Sequence, residues 1–535
     1  MPGADGGSVT GDGGVLPGTD GSAGGDGAIK DDDAGPPHPP VTGLTQFTEI
    51  TASSSLGTLQ SGMVWTFDHA IEDFDGDGKL DLFLGDHDTA NNQNRLLHNE
   101  GNLTFANKLG TALKSTTGVW SFVAVDANND GAVDALVNWD AQNSSAFAND
   151  LAGGFTNVAS PFDHQANGMA WADYDGDGFL DFGVTNFGQN GNKLWRHKNA
   201  NLGASDFEDK TGSGMPTGRS TASMYFADVN GDHKPDLIMQ LLTNGAIFDA
   251  ATGCSTKVAL NTGTGFGAPQ TAGLDNAPCY GIALGDFDND GDLDLVGVGA
   301  AAAGSSSAGS GNVLDAVGLF RNDGTGSFTD VTASSGLPTA TVSVDVYRHI
   351  YDQAVWADVD QDGYLDLILT YGPNDKVYRN LGNRTFQDVT TTWKLTAGNG
   401  RPERIAVGDL DGDGDIDLLT QSGQNEGFRL WRNDLGSARW LTVRLAGNKI
   451  KTAISSSVSI YEAGHANDPA FLRGFREVMV SDSHRAPLEQ TFGTETGKTY
   501  DVVARFWPDG TVVTVPNVTP GKRLKVNENG TSAAY

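Results

Sequence analysis

The chain has 535 residues, enough for two or three domains, and its 68 acidic residues outnumber the 34 basic residues. The formal charge of −34 argues against nucleic-acid binding, which needs basic surface. No apolar run approaches the roughly 18 residues of a membrane span, so the sequence predicts no transmembrane segment.

The first segment, residues 1–42, is rich in Gly, Asp, Ser and Pro. It has too few apolar residues to bury a core, so we predict a disordered segment. Such a segment would serve as a tether between a membrane anchor and the folded domain, or as a dispensable tail. No secretory signal is visible, so an exported protein would have lost its signal or carry it upstream of this start.

A nine-residue loop, DFDGDGKLD at residues 73–81, places carboxylates at positions 1, 3, 5 and 9 and a glycine at position 6. Crowded anions repel unless a cation lies among them, and Ca²⁺ takes six to eight oxygen ligands of this kind. The loop recurs six times, starting at residues 126, 173, 228, 286, 358 and 409. The sequence therefore predicts up to seven Ca²⁺ sites.

The predicted ligands are the four side chains of each loop, together with the backbone carbonyl at position 7. By loop, these side chains are Asp73, Asp75, Asp77 and Asp81; Asp126, Asn128, Asp130 and Asp134; Asp173, Asp175, Asp177 and Asp181; Asp228, Asn230, Asp232 and Asp236; Asp286, Asp288, Asp290 and Asp294; Asp358, Asp360, Asp362 and Asp366; and Asp409, Asp411, Asp413 and Asp417.

These loops differ from EF-hands, which need a bidentate Glu at position 12 and flanking helices. Position 12 carries no carboxylate here, and apolar strand-like stretches flank each loop. Two loops are expected to bind least tightly. The fourth has His233 where the turn favours glycine with a positive φ, and the second has Asn128 in place of one aspartate.

The repeat predicts an all-β fold in which each loop joins the first two strands of a four-stranded propeller blade. A third strand follows each pair, and six of the seven units then have a fourth strand that begins with Phe. The seventh lacks one, but FTEIT at 47–51 precedes the first unit. We therefore predict a seven-bladed β-propeller over residues 43–434 whose last blade is completed by the N-terminal strand.

Residues 435–530 contain strand-like segments but no Asp loop, which predicts a separate small β-sandwich, with 531–535 as a tail. Cys254 and Cys279 are the two cysteines, and the sequence leaves open whether they form a disulfide or a free pair. Because Ca²⁺ is plentiful outside cells, we expect an extracellular or cell-surface protein, and the periplasm is the alternative location.

No catalytic constellation is visible, since G-x-S-x-G, P-loop and H-E-x-x-H motifs are all missing. A protein or glycan ligand is expected at the face opposite the Asp loops, where Arg219, Arg348, His349 and Arg404 fall in the segments that lead into the blades. Two alternatives stay open, namely a polysaccharide-active enzyme on a propeller scaffold and a structural spacer in a surface assembly.

The loops and the following N-x-G-x-x-F elements resemble FG-GAP/VCBS repeats, which form the propellers of integrin α-subunits and many bacterial surface proteins. The segments WLTVRLAG (440–447), REVMVSD (476–482) and WPDGT (507–511) resemble the ASPIC/UnbV domain. Together they resemble the cartilage acidic protein family, which implies an extracellular, calcium-dependent role in binding, adhesion or matrix assembly and no known reaction. The chain departs from that family at 448–461, where a glycine-rich segment is usual.

Overall fold

The computed structural model describes residues 47–61, 63, 66–86, 94–108, 113, 118–139, 144–151, 154–158, 168–185, 192–212, 215, 221–242, 254–301, 312–345, 353–371, 374–395, 404–421, 427–436, 438–481 and 486–535. The predicted tether at 1–42 lies outside these residues, as do Arg219, Arg348 and His349 of the predicted ligand site.

Twenty-eight strands lie in the described part of residues 47–433. In chain order they are β1 (Phe47–Glu49), β2 (Thr66–Glu72), β3 (Asp81–Asp86), β4 (Arg95–Asn99), β5 (Phe105–Asn107), β6 (Val119–Val125), β7 (Asp134–Trp139), β8 (Ser145–Asn149), β9 (Phe155–Val158), β10 (Gly168–Ala172), β11 (Asp181–Thr185), β12 (Lys193–His197), β13 (Phe207–Asp209), β14 (Thr221–Ala227), β15 (Asp236–Leu242), β16 (Cys254–Ala259), β17 (Cys279–Gly285), β18 (Asp294–Ala300), β19 (Asn312–Asn322), β20 (Phe328–Asp330), β21 (Val342–Asp345), β22 (Ala354–Ala357), β23 (Asp366–Tyr371), β24 (Asn374–Asn380), β25 (Phe386–Asp388), β26 (Arg404–Gly408), β27 (Asp417–Gln421) and β28 (Phe428–Asn433). Two single-turn helices, α1 (Leu56–Leu59) and α2 (Thr332–Ser335), and a 3₁₀ turn at Ala204–Asp206 connect strands.

These strands form seven antiparallel sheets in the described residues, and the neighbouring strands follow chain order except for β1 and β21. We call them blade one (β2–β5), blade two (β6–β9), blade three (β10–β13), blade four (β14–β16), blade five (β17–β20, with β21 paired to β19), blade six (β22–β25) and blade seven (β26–β28 with β1). The first strand of each blade contacts the first strands of the blades before and after it, and β26 contacts β2, so the contacts close into a ring. The all-β propeller predicted from the repeats is confirmed.

The N-terminal strand completes the last blade, as predicted. Phe47 pairs with Asn433 across β1 and β28, in the register by which Phe386 pairs with Asn380 in blade six. Phe47 is buried in a cluster with Trp393 and Trp431. The strand therefore occupies the place of a fourth strand and links the two ends of the ring without leaving a long exposed edge.

Blade four differs from the predicted pattern because its described residues contain three strands. The Phe266 segment makes single bridges only, from Phe266 to Asn261 and from Gln270 to Val258. Gly265 has φ 156°, a conformation outside the range of strands, and the neighbouring Pro269 has no backbone N–H to donate. This glycine- and proline-containing stretch therefore does not continue as a ladder.

The C-terminal region forms two four-stranded sheets that share one apolar core, as the predicted sandwich requires. Its strands are β29 (Trp440–Ala446), β30 (Ser457–Glu462), β31 (Leu472–Glu477), β32 (Val480–Ser481), β33 (Gln490–Gly493), β34 (Tyr500–Phe506), β35 (Thr511–Val518), β36 (Lys522–Asn527) and β37 (Ser532–Ala534). One sheet has the order β33-β29-β36-β37 and the other β31-β30-β34-β35. Val443 and Leu524 of the first pack with Val458 and Val502 of the second.

Two features of the C-terminal region differ from the sequence prediction. Residues 532–534, which we expected in a tail, form a strand that pairs with β36. Ser and Ala have low strand propensity, so the sequence alone does not predict this strand, and the open edge of β36 supplies its hydrogen bonds. The sandwich is also not separate from the ring. Strand β32 pairs with β10 of blade three, and the connection between β31 and β33 packs Met479 and Leu488 against the blades.

One cysteine alternative is resolved, since Cys279 at the start of β17 is disulfide-bonded. The chain has one other cysteine, Cys254 at the start of β16. None of the helices in the described residues has the length and apolar character that crossing a membrane requires.

Ring closure by β1 predicts a large stability loss for Phe47→Ala. Removing this buried ring leaves a cavity beside Trp393 and Trp431, and we expect a loss of about 3–5 kcal/mol in the free energy of unfolding. Denaturant titration measures it. The exposed Glu49 on the same strand gives the control, because Glu49→Gln should change stability by less than about 0.5 kcal/mol. Equal, small effects of both substitutions would contradict the closing role of β1.

Candidate metal centres

Each Asp loop is the turn of the hairpin formed by the first two strands of a blade. The aspartate at position 9 starts the second strand and pairs with the residue before the loop, as Asp366 pairs with Ala357. Position 6 has a positive φ in all seven loops, from 86° to 97° at the six glycines and 65° at His233. The strained conformation predicted for His233 is therefore present.

Backbone amides orient the carboxylates at positions 1 and 5 in the same way in all seven loops. The N–H of residue 6 donates to Oδ2 of the position 1 aspartate at 2.8–3.1 Å. The N–H of residue 7 donates to Oδ1 of the position 5 aspartate, also at 2.8–3.1 Å. The turn itself thus fixes these side chains, without help from the rest of the blade.

The aspartate at position 9 ties the loop to the third strand. Its Oδ2 accepts from the N–H of loop residue 2 at 3.0–3.3 Å. Its Oδ1 accepts from the last residue of the third strand, such as Asn380, or from its equivalent at 2.7–2.9 Å. All seven of these aspartates are at most 2% exposed. A charge buried so deeply is costly unless it is compensated.

The donor atoms fit a hard cation. Carboxylate oxygens of Asp358, Asp360 and Asp366 in blade six lie within 4.8 Å of one another, and all three residues are buried. The corresponding residues of blade three and of blade five converge in the same way. Among the described residues, Asp360 Oδ1 is a buried oxygen with no hydrogen-bond partner. Ca²⁺ prefers oxygen ligands of this kind, and a buried carboxylate oxygen without a hydrogen-bond partner is available to bind it.

Burial raises the pKa of several loop aspartates, and neighbouring carboxylates raise it further. Burial, together with Asp134 and Asp130, raises the pKa of Asp126 to about 7. Burial is likewise the main cause that raises the pKa of Asp173 to about 7. These acids would hold protons near neutral pH, so cation binding would release protons.

All 28 predicted ligand side chains lie in the seven hairpin turns, as expected from the spacing. Of the predicted ligand-site residues on the other face, Arg404 alone is described. Its Nη1 lies 3.0 Å from Oδ1 of the fully buried Asp68. This guanidinium therefore compensates a charge inside the ring.

The residue that ends the third strand was missed by the sequence reasoning. In six blades it is an asparagine whose Nδ2 donates to the position 2 carbonyl of the preceding blade at 2.6–2.9 Å. These residues are Asn99, Asn149, Asn261, Asn322, Asn380 and Asn433. In blade three the position is His197, which stacks on Phe207 instead. The N-x-G element was the available signal.

The sandwich contacts the inner edge of the loops. Gly493 N donates to Asp358 Oδ2 at 2.7 Å, and a Cβ on Gly493 would lie only 2.1 Å from that oxygen, so glycine is required there. Arg523 donates to Gly78 O at 2.7 Å and to Asp409 Oδ2 at 3.3 Å. The position 1 carboxylates of blades six and seven thus serve both the loop and the domain interface.

Comparison with known proteins supports the repeat. The sequence model described as an FG-GAP-like repeat matches residues 73–137, 173–239 and 358–420. Each match begins at position 1 of an Asp loop, in blades one, three and six, so the propeller contains FG-GAP-like repeats. The curated proteins give no significant match. The ASPIC/UnbV resemblance of the sandwich stays a prediction.

Several solved structures are similar to parts of the chain. A lectin of Agrocybe aegerita, described by its recognition of non-reducing terminal N-acetylglucosamine, is 19% identical with a TM-score of 0.39 over 63% of this chain and 83% of that chain. The V. cholerae biofilm matrix protein Bap1 is 12% identical with a TM-score of 0.36 over 69% and 88%. YCF48 bound to D1 peptide is 9% identical with a TM-score of 0.38 over 74% and 99%. Likenesses this distant carry no argument about function.

We call the hydrogen bond from the third-strand asparagine to the preceding blade the asparagine tie. It predicts that Asn380→Ala destabilises the ring. The substitution leaves the buried carbonyls of Phe287 and Leu365 without their donor, and we expect a loss of about 2–4 kcal/mol. Chemical denaturation measures it. The exposed Asn383 in the following turn is the matched control, and Asn383→Ala should cost less than about 1 kcal/mol. A loss at Asn380 no greater than at Asn383 would refute the tie.

Proposed function

We propose that the protein is an extracellular or surface-tethered calcium-binding propeller that acts in protein or glycan recognition and adhesion, with the ions in a structural role. The observation that carries the proposal is the sevenfold recurrence of one hairpin turn with the same backbone hydrogen bonds, whose carboxylates converge within 4.8 Å in blades three, five and six. A single acidic turn would carry little weight. Seven turns with the same hydrogen bonds indicate that the turns share one structural role.

The proposed location has two supports besides the loops. FG-GAP-like repeats are present, and this resemblance implies an extracellular or surface role. Cys279 is disulfide-bonded, and disulfides persist mainly in oxidising compartments. An extracellular site also supplies Ca²⁺ at the concentrations that a structural site of modest affinity needs.

The proposed partner site is on the face opposite the Asp loops. The sandwich contacts the loops of blades one, two, three, six and seven, so much of the loop face is already used within the chain. The first strands begin at the other face, and Arg219, Arg348 and His349 fall in the segments before them. Arginine is enriched in interfaces, where its planar group binds carboxylates and sugar hydroxyls.

The structural role of calcium predicts a large effect of chelation on thermal stability. Ions bound only to the folded state stabilise it by mass action, so EDTA should lower the melting temperature by more than about 10 °C relative to millimolar Ca²⁺. Differential scanning calorimetry measures this shift, and Mg²⁺ at the same concentration should restore little of it. An identical melt in EDTA and in Ca²⁺ would rule out the calcium proposal.

The recognition role predicts a ligand whose binding depends on Arg348. Purified protein would be tested against a glycan array and a panel of surface proteins in Ca²⁺ and in EDTA. A hit lost in EDTA and with Arg348→Ala, but kept with the exposed control Lys108→Ala, is the expected result. Silence on both panels despite a calcium-stabilised melt would overturn recognition and favour a spacer or a polysaccharide-active enzyme.

A further inference from the structure

One position on the third strand of each blade varies together with position 3 of the Asp loop. The strand position is the residue just before the end of the third strand, and by blade it holds His98, Ala148, Arg196, Leu260, Arg321, Arg379 and Arg432. Loop position 3 holds Asp75, Asn128, Asp175, Asn230, Asp288, Asp360 and Asp411. A basic residue stands opposite every aspartate, and an apolar residue stands opposite both asparagines.

The basic side chain reaches the loop carboxylates directly where its contacts are described. Arg379 Nε lies 2.5 Å from Asp360 Oδ2, and its second terminal nitrogen, Nη2, lies 2.9 Å from Asp362 Oδ2. Arg196 makes the same pair of contacts with Asp175 and Asp177. These contacts use Oδ2 of Asp360 and of Asp362, and the buried Asp360 Oδ1 is left without a hydrogen-bond partner among the described residues.

Three other blades follow the same arrangement with small changes. In blade one, His98 Nδ1 lies 3.0 Å from Asp75 Oδ2. In blade five, Arg321 acts electrostatically on Asp288, which also pairs with Arg384 of the next blade at 2.8 Å. In blade seven, Arg432 pairs directly with Asp434 at 2.7 Å and acts on Asp411 only electrostatically.

The two asparagine loops satisfy the same carboxylate in other ways. In blade two, Asn128 Nδ2 donates to Asp130 Oδ2 at 2.9 Å, so the amide takes the place of a guanidinium. In blade four, Lys234 within the loop donates to Asp232 Oδ2 at 2.7 Å. The third strand contributes no charge in either blade. Oδ2 of the position 5 aspartate therefore has a hydrogen-bond donor in these two blades without a strand cation.

The basic residue is not needed to orient positions 1, 5 and 9, because backbone amides already hold these side chains in every loop. What it adds is charge. Four aspartates and one arginine carry a net −3, which equals the charge of three aspartates and one asparagine. The strand cation thus compensates the extra carboxylate and stands beside the point on which the ligands converge.

We infer that the third-strand arginine is a resident counter-cation that offsets the position 3 carboxylate and opposes the ion it faces. The inference rests on the proposed calcium-binding function. Removing the arginine leaves the carboxylates to repel each other when no ion is bound, and it removes repulsion when an ion is bound. The arginine therefore makes the fold less dependent on Ca²⁺ while it lowers the affinity of its own site.

This inference also changes the expected order of affinities. The sequence alone predicted that blade two would be among the weakest sites because Asn128 removes one charge. With the strand cation included, blades two and six carry the same ligand charge. Arg476 also acts electrostatically on Asp358 in blade six, so blade two should bind Ca²⁺ at least as tightly as blade six.

The test is Arg379→Gln in the full chain, with Lys376→Gln as the matched control. Lys376 lies on the same strand but pairs with Asp388 at 2.8 Å, away from the loop. We expect Arg379→Gln to lower the melting temperature in EDTA more than in Ca²⁺, so that the calcium-dependent shift grows. Lys376→Gln should leave that shift unchanged.

A second readout isolates blade six. Tyr364 at position 7 of this loop can sensitise the luminescence of Tb³⁺, and the signal lost with Tyr364→Phe reports this site. In the Arg379→Gln background, direct titration with Tb³⁺ should reach half-saturation of this signal at a concentration roughly three- to tenfold lower, because a positive charge that opposes the bound cation has been removed. In blade two, Ala148→Arg should change the calcium-dependent melting shift in the opposite direction.

The outcomes separate the two proposals. If Ca²⁺ fails to stabilise the unsubstituted protein, the calcium function is wrong and the counter-cation inference falls with it. If Ca²⁺ stabilises the protein but Arg379→Gln behaves like Lys376→Gln, or needs more Tb³⁺ to saturate the blade six signal, the counter-cation inference alone is overturned.

Discussion

The structure depends on a buried aspartate at position 9 of a hairpin turn. This side chain accepts hydrogen bonds from the turn and from the third strand, so it joins three strands of each blade through one carboxylate. Its burial makes ionisation costly, and in blades three, five and six the carboxylates at positions 1 and 3 lie within 4.8 Å of it. The position that organises the blade therefore also creates the need for a cation, which couples folding to charge compensation in every blade.

The same turns connect the blades and the two domains. Asn380, at the end of the third strand of blade six, donates to the backbone of blade five. Asp358 accepts from Gly363 in its own loop and from Gly493 in the sandwich. A change in one loop therefore affects a neighbouring blade and the domain interface together. The ring and the sandwich also share one apolar cluster, so we expect them to unfold as a unit.

Local features of this fold could be predicted from the sequence, and distant ones could not. The hairpin turns, the positive φ at His233 and the Phe47 strand follow from patterns within about ten residues. The asparagine ties could not be predicted, because Asn380 donates to a carbonyl 93 residues away in the chain. The Arg404 pair with Asp68 spans the closure of the ring, and the packing of Met479 against blades four and five depends on how the sandwich docks.

The charge of the whole chain acquires a specific meaning in this structure. A net −34 would favour solubility in any compartment, but much of it is concentrated in turns where burial already raises the pKa of residues such as Asp126 and Asp173 to about 7. Without a divalent ion these acids would be partly protonated at neutral pH or would repel each other. Strand arginines offset part of this repulsion in some blades and are lacking in blades two and four. A chain with this mixture would gain stability in a compartment rich in Ca²⁺, which supports the proposal that it acts outside the cell.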